Sequence, residues 1–225
     1  MSIWIKICGV TSTDDARRAV EAGADAIGVN LIPSSKRFVD EATARAIVDA
    51  VGTNAEVIAV VADRGRDELE ALALRLGLRS LQLHGNERPE LVATLVPLAY
   101  QAVRIATAAD VARARAFAGT RLLADAKVEG ALGGTGHTFD WSLVTALARE
   151  RPLLLAGGLT AENVATAVER VRPYGVDTAS GVEGQSPRQK DPTKMERFVK
   201  EARRAALALG LDTNTRVDYE PPRNP

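Results

Sequence analysis

Ile3-Trp4-Ile5-Lys6-Ile7-Cys8-Gly9-Val10-Thr11-Ser12 is an apolar run that breaks into a turn. Its β-branched residues, closed by a glycine, predict a strand over Ile3–Ile7. Successive strand side chains point to opposite faces. Ile3, Ile5 and Ile7 therefore share one face, and Trp4, Lys6 and Cys8 the other. The turn from Cys8 to Ser12 lacks the G-x-G-x-x-G pattern that follows the first strand of a doubly wound, dinucleotide-binding sheet.

Working outward, short aliphatic runs alternate with Ala/Arg/Glu/Leu-rich stretches of helical period, the order of βαβ units and a parallel sheet. Further strands are predicted at Ala26–Asn30, Val57–Val61, Ser80–Leu83, Ala102–Ile105, Leu122–Asp125, Leu153–Ala156 and Val176–Ala179. Helices are predicted near Asp14–Ala22, Glu41–Val51, Asp67–Leu76, Pro89–Leu95, Ala109–Phe117, Trp141–Arg149, Ala161–Val171 and Pro192–Leu209. Thr11, Ser12 and Thr13 are the N-cap candidates of the first helix. This element count, without a strong linker, predicts an α/β protein with a single (β/α)8 TIM barrel over residues 1–210. A doubly wound open sheet is the alternative. Residues 211–225 are polar, contain three prolines and show no periodicity, so a flexible or loosely docked tail is expected.

The 225 residues, 46% of them hydrophobic, suffice for a full core. Lys+Arg and Asp+Glu both total 29, and no block of like charge stands out, so neither nucleic acid nor a membrane surface is the expected partner. There is no basic segment followed by a longer apolar region at the N-terminus, and no apolar stretch of transmembrane length. With a single cysteine, the expectation is a soluble cytoplasmic protein. Its oligomeric state is left open between monomer and homodimer.

Active sites of such barrels sit at the C-terminal strand ends. Lys6 and Cys8 end the first strand, and Asn30 leads into Pro33-Ser34-Ser35-Lys36-Arg37. Gln82 and His84 lie opposite Leu81 and Leu83 on the fourth strand, and Asp125 ends the sixth. Gly157 and Gly158 follow the seventh, and Asp177, Ser180 and Gly181 belong to the eighth and its loop. Each has an ordinary alternative. Cys8 is either a small buried hydrophobe or a reactive thiol, but a lysine on its own face is awkward for a purely structural position. Asp125 caps a turn or acts in a site, and it opens a loop, Ala126 to Thr138, with glycines at 130, 133, 134 and 136. His84 is an interior histidine or part of the site, and Arg37 a solvated residue or a carboxylate clamp. The glycine pairs are turn residues or backbone cradles for a phosphate.

Taken in order, Lys6-Ile7-Cys8-Gly9, Pro33-Ser34-Ser35-Lys36-Arg37, Gln82-Leu83-His84-Gly85, Asp125, Gly133-Gly134-Thr135-Gly136 with Phe139-Asp140-Trp141, Leu155-Ala156-Gly157-Gly158-Leu159 with Glu162-Asn163-Val164, and Ser180-Gly181-Val182-Glu183 with Lys190-Asp191 form a specific set. The set resembles the N-(5′-phosphoribosyl)anthranilate isomerase family from residue 3 to about residue 200. Two departures stand out: Val29-Asn30-Leu31-Ile32 lacks the family's frequent aromatic, and Gly184–Gln189 is longer than the usual Pro-Gly-Lys-Asp connection.

The resemblance implies an Amadori rearrangement of a small-molecule substrate, phosphoribosylanthranilate, in tryptophan biosynthesis. It implies no cofactor and no metal, because the change is an internal proton shift. Asp125 would be the acid and Cys8 the base, with Arg37 on the anthranilate carboxylate. The loops with Gly157, Gly158, Ser180 and Gly181 would hold the phosphate, and Lys6, Gln82, His84 and Asp177 would complete the substrate site. An ordinary thiol, with a pKa near 8.5, is only about 3% thiolate at pH 7. Lys6 is expected to favour the thiolate by its charge. Two other readings differ: the related histidine-pathway isomerase carries an aspartate where Cys8 stands, and a non-catalytic phosphate-binding barrel has no need of both Cys8 and Asp125.

Overall fold

The computed structural model describes residues 3–126 and 139–211. Along the chain run β1 (Trp4–Cys8), α1 (Thr13–Glu21), β2 (Ala26–Asn30), α2 (Glu41–Val51), β3 (Glu56–Val61), α3 (Arg66–Leu76), β4 (Ser80–Leu83) and α4 (Pro89–Thr94). Then follow β5 (Ala99–Ile105), α5 (Ala108–Ala114), β6 (Leu122–Ala126), α6 (Thr145–Glu150), β7 (Leu153–Leu155), α7 (Val164–Val171), β8 (Gly175–Thr178) and α8 (Pro192–Ala208). The strands pair in parallel and in sequence order, and β8 closes on β1 with Trp4 beside Gly175 and Lys6 beside Asp177. Closure leaves no sheet edge, which excludes the open doubly wound alternative and establishes the (β/α)8 barrel.

The alternation of β1 decides which residues face the site. Ile3, Ile5 and Ile7 pack outward with Ile27, Val29, Leu81 and Leu83 against helix residues such as Ile47, Leu69, Leu72 and Phe198. Trp4 points into the barrel with Ala26, Ile58, Tyr100, Leu123 and Leu154. The Arg121 guanidinium lies 5.1 Å from the Trp4 ring centroid and 5.5 Å from that of Tyr100, and pairs with Glu56 at 3.3 Å. Glu56 also accepts from the Ser80 hydroxyl. This aromatic and charged plug fills the N-terminal end of the barrel.

Local chemistry sets the element ends. Of the three N-cap candidates Ser12 serves, its Oγ accepting from the Asp15 N–H at 3.1 Å. The seventh helix begins at Val164 rather than Ala161 because Asn163 is spent on the preceding loop. Its Oδ1 accepts from the Thr160 N–H and its Nδ2 donates to the Gly158 carbonyl. Trp141–Val144 forms a tighter 3-10 turn ahead of α6 instead of continuing it. The fifth strand extends back to Ala99, which places Tyr100 beside Gln82 of β4. No described helix is long and apolar enough to cross a membrane. The expected glycine-rich loop after Asp125 and the expected tail beyond Leu211 lie outside the described residues.

Trp4→Ala removes the largest apolar member of the plug and one face of the Arg121 contact. A loss of about 3–5 kcal/mol in unfolding free energy is expected from urea denaturation; a loss under about 1 kcal/mol would contradict the assigned packing.

Candidate active site

A cavity of about 450 Å³ opens at the C-terminal ends of the strands. Cys8, Arg37, Gln82, His84, Asp125, Gly157, Gly158, Asp177 and Ser180 line it, so nine residues from six strand ends or their loops converge there. Val60, Ile32, Leu123 and Leu159 give it apolar walls. Lys6 lies beneath the cavity, fully buried, and Gly181 stands behind its wall, with no room for a side chain against the Leu159 carbonyl. A second cavity of about 550 Å³ lies at Asp63, Arg64 and Asn86–Leu91. Its buried carboxylate, Glu87, is consumed by structural hydrogen bonds from the Asp63 and Gly85 N–H groups and from Gln101.

The cavity floor is a polar network built on Lys6. Its Nζ donates to Gln82 Oε1 at 2.8 Å and to Asp177 Oδ2 at 3.0 Å. Burial alone would strip the Lys6 proton, but Asp177 and its other neighbours overcome this and hold the ammonium above its ordinary range. Burial pushes the Asp177 carboxyl up while Lys6 pulls it down. Asp177 Oδ1 is buried and has no hydrogen-bond partner among the described residues. The Tyr100 hydroxyl donates to Gln82 Oε1 at 3.1 Å, Gln82 Nε2 sits 3.3 Å from His84 Nδ1, and His84 Nε2 sits 3.3 Å from Asp125 Oδ2. Asp125 Oδ1 accepts from the Ala126 N–H at 2.8 Å.

Cys8 faces this network from β1. Its cross-strand neighbour is Gly28, where a Cβ would lie 2.6 Å from Cys8 Sγ and 3.0 Å from Lys6 Cε. The missing side chain of Gly28 is what lets thiol and ammonium share the first strand's inner face, and nothing in the sequence pattern singled that residue out. Burial pushes the Cys8 thiol up. Lys6 pulls the other way, as its charge suggested, but the Asp177 carboxylate works against it and burial prevails. Lys6 thus favours the thiolate, as expected, but its charge does not outweigh burial.

Arg37 is buried rather than solvated, and its Nε donates to Glu183 Oε1 at 2.5 Å. Lys190 Nζ donates to the Ala179 carbonyl at 2.9 Å and lies 3.7 Å from Glu183. Its burial pushes its pKa down to about 8, opposed by Glu183 and aided by Arg37. Glu183 and Lys190 belong to the quoted motifs yet were not expected among the site residues. The longer Gly184–Gln189 connection folds back on itself, with Gly184 N–H donating to the Gln189 carbonyl, so Glu183 and Lys190 still meet as a bridge. Gly157, at φ +86°, presses so close to Ala126 that a Cβ would lie 2.5 Å from its backbone nitrogen. The loop after β7 thereby turns directly over the end of β6.

Known proteins resemble this chain in sequence and in fold. The family model of N-(5'phosphoribosyl)anthranilate (PRA) isomerase matches residues 5–201. The chain belongs to this family. It is 42% identical over 215 residues to the N-(5'-phosphoribosyl)anthranilate isomerase of Myxococcus xanthus strain DK1622, covering 94% of this chain and 99% of that one. Among solved structures it resembles the phosphoribosyl anthranilate isomerase of Thermotoga maritima, with a TM-score of 0.81 and 36% identity over 89% of this chain and 98% of that one. A PRA isomerase solved in complex with reduced 1-(o-carboxyphenylamino)-1-deoxyribulose 5-phosphate matches with a TM-score of 0.78 and 34% identity, over 89% and 98% of the two chains.

The thiol assignment has a direct readout because Cys8 is the only cysteine. A pKa above the ordinary value keeps the thiol largely protonated through neutrality, so the rate of alkylation by iodoacetamide should still be climbing with pH at about 8.5 and level off only above it. A rate profile that inflects below about 8 would refute the dominance of burial.

Proposed function

We infer that this chain is the isomerase of tryptophan biosynthesis that converts N-(5′-phosphoribosyl)anthranilate to 1-(2-carboxyphenylamino)-1-deoxyribulose 5-phosphate. The observation that carries the reading is that one thiol and one carboxyl, Cys8 and Asp125, face a single cavity from β1 and β6. Asp125 protonates the furanose ring oxygen, the C1′–O bond breaks, and the nitrogen lone pair forms an iminium ion. Cys8 removes the C2′ proton, the electron pair moves to the iminium nitrogen, and the resulting enolamine tautomerises to the aminoketose. Atoms and electrons balance within the substrate, so the chemistry calls for no redox partner.

The order of these steps addresses the raised thiol. Ring opening places a cation on the substrate nitrogen before Cys8 is called on; this positive charge favours release of the thiol proton to solvent at the open cavity mouth, so that Cys8 meets the C2′ proton as a thiolate. The substrate thus adds the charge that Lys6 alone does not supply. Arg37, aimed by Glu183, takes the anthranilate carboxylate, for which a planar guanidinium is well suited. The backbone around Gly157, Gly158, Ser180 and Gly181 takes the phosphate, and Asp177 Oδ1 accepts from a substrate hydroxyl. The protein works in the cytoplasm, as a monomer or homodimer.

Adding purified protein to freshly made substrate should abolish the anthranilate-type fluorescence. Cys8→Ala and Asp125→Asn should each lower kcat by two orders of magnitude or more, the scale of a lost general acid or base. Near-normal turnover in either variant would remove that residue's role. Arg37→Ala should chiefly raise KM, by about tenfold to a hundredfold for a lost charge-assisted contact; an unchanged KM would rule out the clamp.

A further inference from the structure

The hydrogen-bond chain on the cavity floor has a direction, and it begins at a group that can only donate. The Lys6 ammonium has no acceptor, so the Gln82 atom facing it at 2.8 Å is the amide oxygen. The Tyr100 hydroxyl, donating to the same oxygen, holds the amide in that orientation. The Gln82 NH2 is then the group that faces His84 Nδ1 at 3.3 Å. An NH2 only donates, so Nδ1 must offer a lone pair, and the neutral ring carries its proton on Nε2. Nε2 is buried and lies 3.3 Å from Asp125 Oδ2, within reach but short of hydrogen-bond alignment.

We propose that Gln82 is a positioning residue that fixes His84 as the Nε2–H tautomer, so that His84 is a donor aimed at Asp125 and never the group that takes its proton. The value of this for catalysis rests on Asp125 being the acid. Asp125 Oδ1 is already engaged by the Ala126 N–H, and an Nε2–H beside Oδ2 gives the carboxyl a second fixed partner. Once Asp125 has released its proton to the substrate, that donor receives the carboxylate. With the other tautomer, a lone pair on Nε2 would compete with the substrate for the Asp125 proton. Lys6 thereby acts on the acid as well as on the thiol, through two intervening side chains.

The tautomer is observable without activity. The chain holds two histidines, His84 and His137, so His137→Asn leaves a single imidazole to be seen by 15N–1H correlation spectroscopy. The expected spectrum of the neutral ring is a protonated Nε2 and an unprotonated Nδ1. Gln82→Glu, which turns an acceptor toward the ring, should convert Nδ1 to its protonated form and lower kcat about tenfold or more. His84→Gln, whose amide carries an N–H to roughly the place of Nε2, should keep kcat within a few-fold, whereas His84→Leu should lose about ten- to a hundredfold in kcat. A protonated Nδ1 in the ring before Gln82 is changed would overturn the proposal, as would equal turnover in the His84→Gln and His84→Leu proteins. Should a variant fail to fold, the spectrum of the His137→Asn protein still decides. Normal turnover in Asp125→Asn would instead remove the acid role and leave the tautomer standing, so the two failures are distinguishable.

Discussion

An ammonium fully buried inside a parallel barrel sets the terms for everything around it. Lys6 cannot be left unpaired, because an isolated buried charge is far costlier than a paired one. Asp177 on β8 meets the charge directly, and the register that closes the barrel sets these two residues side by side. Removing one partner of such a pair typically costs about 3–5 kcal/mol, which for a domain of ordinary stability is a large share of the whole. Gln82 supplies the second acceptor and Tyr100 locks its amide. The floor of the site is therefore rigid for electrostatic reasons before any ligand arrives.

Two clusters divide the labour above that floor. Lys6, Asp177, Gln82 and His84 lie between the Cys8 thiol and the Asp125 carboxyl and determine which groups donate and which accept. Arg37, Glu183 and Lys190 form a separate cluster where the loops after β2 and β8 meet. Both cations of that second cluster share the Glu183 carboxylate. The raised Cys8 thiol fits the same division. Burial favours the neutral form of that thiol against the pull of Lys6.

Much of the fold was legible because local periodicity carries it. The alternation over Ile3–Cys8 put Trp4, Lys6 and Cys8 on one face and the isoleucines on the other, and the structure makes the first of these the inner face. The strand-end rule found Arg37, His84 and Asp125 from unrelated segments and predicted that they converge. What escaped was pairing between side chains. Glu183 looked like one more loop carboxylate, yet it aims Arg37 from 146 residues away. Gly28 looked like an ordinary strand residue, yet its lack of a side chain makes the space that Cys8 and Lys6 occupy. Lys6 was read as part of the substrate's surroundings, and it lies one layer below them. The start of α7 was misjudged because the helical period continues through Ala161–Asn163, while the Asn163 amide is already committed to the loop.

By itself the sequence determined the architecture, the two faces of β1 and the family, since periodicity, turn chemistry and ordered motifs are properties of neighbouring residues. Only the tertiary structure decided which charges meet, where water is excluded and which way the hydrogen bonds run. Lys6 reaches Gln82 across 76 residues and Asp177 across 171. Those distances are closed by the register of a cyclic sheet, and the balance between burial and charge at Cys8 exists only once that closure has removed the solvent.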